Sequence, residues 1–209
     1  MTAEIRRAVL TGSLPPGQQF SIRDLAAQLG VSHIPIREAL RRLESQGLII
    51  LRPARSAEVA SLTTADLEAI YRLRYVVELP LAAASVGRHD AAHIQTLRRL
   101  LEDSRHHDPD LAWQAHYEFH AALVHPAATP WDARVLETLW TAAERYTHLV
   151  FDPTRITEKE RQRRYQTHRI LLNAALGTDP AVMTEALTAH LEANEQRIRI
   201  HVQQLEELD

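Results

Sequence analysis

Residues 21–47 constrain the fold of this chain more than any other stretch, because their spacing predicts two short helices joined by a tight turn. Ser21 is followed three residues later by Asp24, which is the spacing of a reciprocal helix cap. Gly30 ends the first helix and Gly47 ends the second, since glycine readily adopts the left-handed conformation that terminates helices. The stretch therefore predicts a helical hairpin.

The second helix of this hairpin has two chemically different faces. Ser32 is placed to cap its N-terminus. His33, Arg37 and Arg41 recur at i, i+4 and i+8 and so share the outer face. A capped helix with a cationic outer face suits the major groove of DNA, and a solvated face on an ordinary hairpin is the alternative. The inward residues recur at i, i+3, i+4 and i+7, and they are Ile36, Ala39, Leu40 and Leu43.

Charge is unevenly divided along the chain. The net charge of −3 by itself argues against a nucleic-acid binder, but residues 1–62 hold eight arginines against five acidic residues. The remaining residues hold 16 basic and 22 acidic side chains. The basic end carries the helical hairpin, as expected for a small phosphate-facing domain joined to an acidic one.

The sequence lacks cysteine and long apolar runs. Without cysteine there is neither a disulfide framework nor a thiolate ligand. No apolar run approaches the roughly 20 residues of a membrane span, and the N-terminus has no signal-peptide core. These patterns predict a soluble, cytoplasmic protein with no membrane partner.

A short β-hairpin is predicted directly after the helical hairpin. The branched run at residues 48–51 and the run at residues 57–60 predict its two strands, with Arg55 near the tip. A further helix over residues 3–11 precedes the helical hairpin. This order of elements is that of a winged helix-turn-helix domain.

Residues 10–59 resemble the DNA-binding domain of the GntR family of bacterial transcription regulators, through the run TGSLPPGQQFSIRDLAAQLGVSHIPIREALRRLESQGLI. The resemblance implies that a double-stranded DNA operator is contacted by the first helix of the motif, by the start of the recognition helix and by the wing. With the capping serine included, the predicted DNA contacts are Arg23, Ser32, His33, Arg37, Arg55 and Ser56.

Three positions depart from the family pattern. His33 stands where the family usually has arginine, Ile34 where threonine is common, and Ser56 where the wing usually has glycine. A neutral imidazole cannot make the two-point contact of arginine with guanine, so the operator preference of relatives does not carry over at that base. Phosphate contacts by Arg23 and Arg37 are unaffected.

Residues 63–209 are predicted to form a separate all-α domain, because helical spacing is interrupted only by Asp, Pro and Gly breaks. The fold class is therefore mainly α, with a winged helix-turn-helix domain over residues 1–62 followed by an all-α bundle. The six predicted helices cover residues 63–87, 90–105, 109–125, 131–151, 157–176 and 180–207.

Four histidines of the bundle are candidate metal ligands. His116 and His120 are spaced i, i+4, so they project from one helix face and can chelate a single ion. His168 and His190 lie on the last two helices among largely apolar neighbours, which predicts that both point inward. Core histidines satisfied by hydrogen bonds are the alternative.

This half of the chain resembles the FCD ligand-sensing domain of the FadR subfamily in the segments LRYVVELPLAA, HYEFHAALV, HRILLNAALGTDP and HLEAN. The resemblance implies a divalent metal held by His116, His120, His168 and His190. The family usually has Asp or Asn at the first of these positions, and an imidazole there favours Zn²⁺, or alternatively Ni²⁺, over Mg²⁺, Ca²⁺ or Mn²⁺. Octahedral coordination leaves positions for a small carboxylate, whereas a tetrahedron of four histidines makes the metal structural.

Two further side chains are candidate contacts for an anionic effector. Arg74 can bind a carboxylate, or it pairs with Glu78 at i+4. Asn194 lies one turn beyond His190. The remaining histidines are predicted to be surface or incidental, and residues 159–164 (KERQRR) to form a solvated helix face. The apolar face of the first bundle helix is predicted to consist of Leu67, Ile70, Leu73, Val77, Leu81 and Ala84.

Together these features predict a ligand-responsive DNA-binding regulator and not an enzyme. The expected protein is a homodimer on a palindromic operator, controlled by a small organic acid at the metal site. A metal-dependent hydrolase using the four histidines is the alternative. It is disfavoured because a zinc-protease helix has Glu directly after its first His, whereas Glu118 follows His116 by two residues.

Overall fold

The computed structural model of the chain describes residues 1–53, 56–150 and 156–207. It confirms the mainly helical class, with a winged helix-turn-helix domain followed by a helical domain. The elements are α1 (Thr2–Leu10), β1 (Gln19–Ser21), α2 (Ile22–Gln28), α3 (His33–Ser45), β2 (Ile49–Arg52), β3 (Ser56–Val59), α4 (Thr64–Ser85), α5 (Ala91–Asp103), α6 (Pro109–Val124), α7 (Pro130–Val150), α8 (Glu158–Ala175) and α9 (Pro180–Glu206).

The first domain is built around α3, whose buried face is the predicted one. Ile36, Leu40 and Leu43 have no exposed surface, and they share one apolar core with Ile5 and Val9 of α1. Burial of this face leaves the opposite side of α3 in solvent. The apolar core of the domain therefore supports α3 on one side only.

The two predicted helix caps differ in their hydrogen bonds. Ser21 Oγ accepts a hydrogen bond from Asp24 N–H at 3.3 Å and so caps α2. Ser32 occupies the N-cap position of α3, but its side chain makes no capping hydrogen bond. The Ser32 hydroxyl is therefore available to other partners.

The predicted β-hairpin is present and belongs to a larger antiparallel sheet. β2 pairs with β3, and Ile49 lies opposite Val59. β1 lies on the other side of β3, with Gln19 opposite Glu58, so the strand order is β1-β3-β2. β1 is not predicted by the sequence pattern, because three residues are too few to show alternation. The predicted wing-tip residue Arg55 lies outside the described residues.

The second domain is a helical bundle in which α4 packs extensively against α9 and α7. Among the described residues, none of the helices combines the length and the apolar character that a bilayer span demands. All six helices of this domain begin after an Asp or Thr whose side-chain oxygen accepts a backbone N–H, which explains why the predicted boundaries lie close to the observed ones. These caps are Thr63, Asp90, Asp108, Thr129, Thr157 and Asp179.

The orientation of α4 differs from the predicted one. Arg74 and Glu78 are buried, with exposed fractions of 7% and 1%, whereas Leu73 and Ala84 face solvent. Arg74 Nε donates to Glu78 Oε1 at 2.5 Å, and Trp140 Nε1 donates to the same oxygen at 2.8 Å. These hydrogen bonds satisfy the two buried charges. The Arg74–Glu78 pair therefore lies on the buried face of α4, where the apolar spacing predicts only apolar residues. The prediction that Leu73 and Ala84 face inward is wrong.

Helix α7 of the second domain contacts the first domain. Arg145, which is 8% exposed, donates to Gly47 O at 3.0 Å and also to Ala60 O. Its guanidinium thus holds the end of the α3 segment and the end of the wing at once. The domain boundary after residue 62 stays a prediction, and Leu62 itself packs in the core of the helical domain.

Candidate functional sites

The outer face of α3 is open and basic. His33, Arg37 and Arg41 on α3 are exposed, as is Arg23 on α2. Within the described residues, none of these three arginines forms an ion pair. Unpaired guanidinium groups together with the uncommitted Ser32 hydroxyl suit phosphate oxygens and base edges.

The wing is described only in part. Ser56 is half-buried, and its Oγ donates to Pro53 O at 3.0 Å. Arg55 lies outside the described residues. The DNA contacts of both wing residues therefore stay predictions.

Three helices of the second domain bring the predicted metal ligands together. His116 and His120 lie on α6, His168 on α8 and His190 on α9. The ring centre of His168 lies 4.7 Å from that of His116 and 5.2 Å from that of His120. The ligand atoms of these three histidines lie within 4.8 Å of one another, so the set can converge on one ion.

His190 flanks this three-histidine cluster. Its ring centre lies 5.1 Å from that of His120 and 4.8 Å from that of His168. Asn194 Nδ2 donates to His190 Nε2 at 3.0 Å, so the amide holds the ring and occupies one of its nitrogens. The His190 ring therefore lies beside the cluster but outside the group of three whose ligand atoms converge, and Asn194 has a partner other than an effector.

Hydrogen bonding determines the tautomer of His168. Its Nδ1 lies 2.7 Å from Arg164 O, and a carbonyl oxygen can only accept, so the proton is on Nδ1 and a lone pair is on Nε2. That Nε2 lies 3.2 Å from His120 Nε2. His116 Nδ1 is buried without a hydrogen-bond partner among the described residues. An oriented lone pair beside an unsatisfied ring nitrogen fits a metal ion.

Burial keeps the four imidazoles neutral. It lowers the pKa of His168 to about 4 and lowers the pKa of His116, His120 and His190 well below the ordinary value. The positive charge of Arg164 contributes to the lowered pKa of all four rings. Neutral imidazole is the form that binds metal ions.

The histidines line a cavity of about 60 Å³, which has room for a few water molecules or a small carboxylate. Arg74 lines the cavity while paired with Glu78, so the predicted ion pair is present. Arg164 also lines it and forms no ion pair in the described part of the chain. Burial lowers the pKa of Arg164 to about 10, so this guanidinium is still charged at neutral pH. An unpaired buried cation favours an anionic ligand.

Two predictions about the surroundings of the cavity are wrong. Residues 159–164 are predicted to be a solvated face, yet Arg163 and Arg164 line the cavity. His148 is predicted to be surface or incidental, yet its side chain is 8% exposed and its ring centre lies 4.3 Å from that of Trp113. Arg164 and His148 both contact Trp113 of α6, since the Arg164 guanidinium also lies 5.5 Å from the centre of that ring. A contact with a different helix cannot be predicted from the spacing within α7 or α8.

Trp113 and Glu144 also line the cavity, and neither is among the predicted site residues. Trp113 precedes His116 by three residues on α6, so helical spacing alone could have placed it on the histidine face. Glu144 carries no comparable pattern, because its partners lie on other helices. These two residues complete the wall of the cavity on the side of the first domain.

Comparison with known proteins identifies both domains. Residues 1–59 match bacterial regulatory proteins of the gntR family, and residues 69–193 match the FCD domain. The HTH-type transcriptional regulator McbR of Escherichia coli (strain K12) is 28% identical over 195 residues, which cover 91% of this chain and 87% of McbR. A probable D-xylose utilization operon transcriptional repressor of Paenarthrobacter nicotinovorans is 26% identical over 193 residues, 88% of this chain and 81% of that repressor.

Solved structures agree with these matches. The structure of E. coli McbR/YncC superposes with a TM-score of 0.76 at 27% identity, over 98% of this chain and 96% of that chain. A putative GntR regulator from Rhodococcus sp. RHA1 has the same fold, with a TM-score of 0.69 at 23% identity over 94% of both chains. The relatives are transcription regulators and not enzymes, so the alternative of a metal-dependent hydrolase has no support.

We expect the metal-free protein to lose stability as the pH falls from 7 to 5. The pKa of His168 is about 4 in the folded chain, whereas an unfolded histidine has a pKa of about 6.5. The unfolded chain therefore takes up the proton first, and acid favours unfolding by about 2 kcal/mol from this residue over that interval. Urea denaturation in the presence of a chelator measures the loss at each pH.

His168→Gln is the matched variant for this measurement, because it removes the titrating group and keeps a polar side chain. The pH dependence of its free energy of unfolding should be smaller than that of the wild type by about the same 2 kcal/mol. An identical pH dependence in the two proteins would show that His168 is not held neutral by burial.

Proposed function

Since this chain belongs to the gntR family of DNA-binding transcription regulators and carries an FCD domain, we propose that a small organic acid bound at its histidine cavity controls how it binds DNA. The observation that carries the proposal is the charge of the cavity. The Arg164 guanidinium, which has no ion pair among the described residues, and the Arg74 side chain line the same small space as the neutral histidine rings. A compact carboxylate matches that space in size and in charge.

The metal ligands proposed for this cavity are His116, His120 and His168, with His190 as the fourth. A divalent ion bound there, Zn²⁺ or alternatively Ni²⁺, supplies a positive centre for the carboxylate. The Arg164 carbonyl orients the His168 ring, and Asn194 does the same for His190.

Arg74 and Arg164 then provide cationic contacts on the cavity wall. Arg74 is held in place by its ion pair with Glu78, so it offers its remaining N–H groups in a fixed direction. Asn194 is retained as a polar contact for the effector at the same wall.

The DNA-binding surface is proposed to read a palindromic operator in the bacterial cytoplasm. The proposed contacts are the exposed residues of α2 and α3 together with the wing. A homodimer supplies the second copy of this surface, since a palindrome presents the same half-site twice. Exposed apolar side chains on α4, with Leu73 47% and Val76 66% exposed, support a protein partner on that face. The full set of proposed DNA contacts is Arg23, Ser32, His33, Arg37, Arg55 and Ser56.

Control requires that the effector bind one arrangement of the protein better than another. A ligand with equal affinity for both arrangements shifts neither population. The domain connection through α7 gives the cavity a structural route to α3, because the cavity wall and the domain contact use neighbouring residues of the same helix. DNA affinity is therefore the quantity that an effector should change.

We expect Arg37→Ala to weaken binding to a DNA fragment from the chain's own promoter region. Loss of one phosphate contact should lower the slope of log affinity against log salt by about 1. Gel-shift titrations at several salt concentrations measure both quantities. Arg98→Ala is the control, because Arg98 is an exposed arginine of α5 in the other domain. Binding by the wild type that shows no salt dependence would refute the DNA surface.

Control by an organic acid is tested in the same assay with small mono-, di- and tricarboxylates. We expect at least one of them to change DNA affinity by about five-fold or more, which is the lower end of typical allosteric coupling. Arg164→Gln should reduce this response, because it removes the unpaired cation from the cavity. DNA affinity that stays constant with every acid would overturn the proposed control.

We expect the purified protein to contain about one divalent ion per chain, since one histidine cluster holds one ion. Elemental analysis of the wild type, His116→Ala and His168→Ala measures the content, and both variants should lose the metal. His201→Ala is the control, because His201 is an exposed histidine of α9. Unchanged metal content in the two cluster variants would remove those residues from the ligand set.

A further inference from the structure

Glu144 of α7 lies where the histidine cavity meets the DNA-binding domain. The residue is 8% exposed, and each of its carboxylate oxygens has a donor. Oε1 accepts from Trp113 Nε1 at 2.6 Å, and Oε2 accepts from the Arg6 guanidinium of α1. One buried carboxylate therefore connects α6, α7 and α1.

Trp113 links Glu144 to the histidine cluster. Its ring stacks on the His116 ring, with 5.2 Å between the ring centres and 30° between the planes. The indole lines both the histidine cavity and the groove beside α1. A shift of the His116 ring therefore reaches the Trp113 N–H group directly.

Arg6 links Glu144 to the recognition helix. Arg6 Nη1 donates to Gln46 Oε1 at 3.5 Å, and Gln46 is the C-cap residue of α3. Helix α1 also packs against α3, since Ile5 and Val9 share the core of that domain. A displacement of Arg6 therefore acts on one end of α3.

The contact between Arg6 and Glu144 is an ion pair with a buried carboxylate. Burial alone would raise the pKa of Glu144, but His148 and the positive charge of Arg6 outweigh it, so the pKa is lowered and the carboxylate is ionised at neutral pH. His148 Nε2 lies 3.7 Å from Glu144 Oε1, which is too long for a hydrogen bond. Arg6 is thus the closest cation to this carboxylate among the described residues. Loss of that cation would leave a buried charge uncompensated.

We propose that Trp113, Glu144 and Arg6 form a relay through which occupancy of the histidine cavity changes the position of α3. Glu144 is the positioning residue of this relay, because it acts on α3 through Arg6. The inference rests on the proposed function, in which the occupant of the cavity controls DNA binding. An occupant that moves His116 alters the hydrogen bond from Trp113 to Glu144. The hydrogen bond from Arg6 to the same carboxylate then becomes stronger or weaker.

Three variants of the full chain test the relay. Trp113→Phe removes the indole N–H and keeps an aromatic ring, and Glu144→Gln removes the charge and keeps the shape. Trp140→Phe is the matched control, because Trp140 lines the same cavity and also donates to a buried carboxylate. That carboxylate is Glu78, which pairs with Arg74 inside the helical domain. Each variant is first titrated with Zn²⁺ to establish that it binds the ion as the wild type does.

The first readout is amide hydrogen exchange in α1 and at Gln46, measured without DNA in the presence and absence of Zn²⁺. We expect Zn²⁺ to change exchange there by about three-fold or more in the wild type and in Trp140→Phe, since local opening responds to a neighbouring constraint. The response should be lost in Trp113→Phe and in Glu144→Gln. Absence of a response in the wild type, or its persistence in those two variants, would overturn the relay.

The second readout is DNA affinity with and without Zn²⁺. We expect a change of about ten-fold for the wild type and Trp140→Phe, and of less than about two-fold for the two relay variants. Exchange in α1 that responds to Zn²⁺, while wild-type DNA affinity responds neither to Zn²⁺ nor to any of the acids, would refute the proposed function and leave the relay from the cavity to α1 standing. Arg6→Lys should retain part of the coupling that Arg6→Met loses, because lysine keeps the positive charge. Equal coupling in these two variants would contradict the role of the Arg6 charge.

Discussion

The packing of the helical domain around its cavity depends on four buried imidazole rings that carry no charge. His116, His120, His168 and His190 lie with ring centres about 5 Å apart, and positive charges at that separation would repel one another strongly in a low-dielectric interior. Burial and nearby guanidinium groups both oppose protonation, so the rings keep lone pairs for hydrogen bonds or for a metal. The same condition explains the position of Arg164, since a neighbouring cation helps to keep the histidines uncharged. The features that suit the cavity to an anionic ligand are therefore also the features that keep its histidines able to bind a metal.

Two buried carboxylates of this domain have the same surroundings and different consequences. Glu78 accepts hydrogen bonds from a tryptophan indole and from Arg74, all within the bundle. Glu144 accepts hydrogen bonds from another indole and from Arg6, which belongs to the other domain. The hydrogen bonds of Glu78 stabilise the bundle whatever the position of the first domain. The hydrogen bonds of Glu144 make the electrostatic environment of the bundle dependent on where the first domain lies, and this dependence is the physical basis of the coupling that we propose.

Local chemistry predicts much of this structure, and long-range contacts account for the rest. The α2–α3 hairpin, the helix starts and the pairing of His116 with His120 follow from spacing within a few residues, as the Ser21 cap illustrates. The convergence of His168 and His190 on that pair is implied only by the resemblance to the FCD domain. The rotation of α4 does not, because the buried Arg74–Glu78 pair is completed by Trp140 of α7, which donates to Glu78. Strand β1 is defined by its pairing with β3, and Glu144 by donors from two other helices. Each of these misses concerns a residue whose environment is completed by a distant part of the chain.

The position of Arg6 has a consequence for how such regulators can be recombined. His33, Arg37 and Arg41 on the outer face of α3 are exposed, so substitutions there disturb no buried contact. The inner edge of the first domain is different, since Arg6 compensates the charge of Glu144 and Gly47 accepts from Arg145. A foreign DNA-binding domain grafted onto this bundle would have to supply an arginine at the Arg6 position and an unobstructed carbonyl at Gly47. The exposed surfaces of the two domains can therefore change independently, whereas the residues at their contact have to change together.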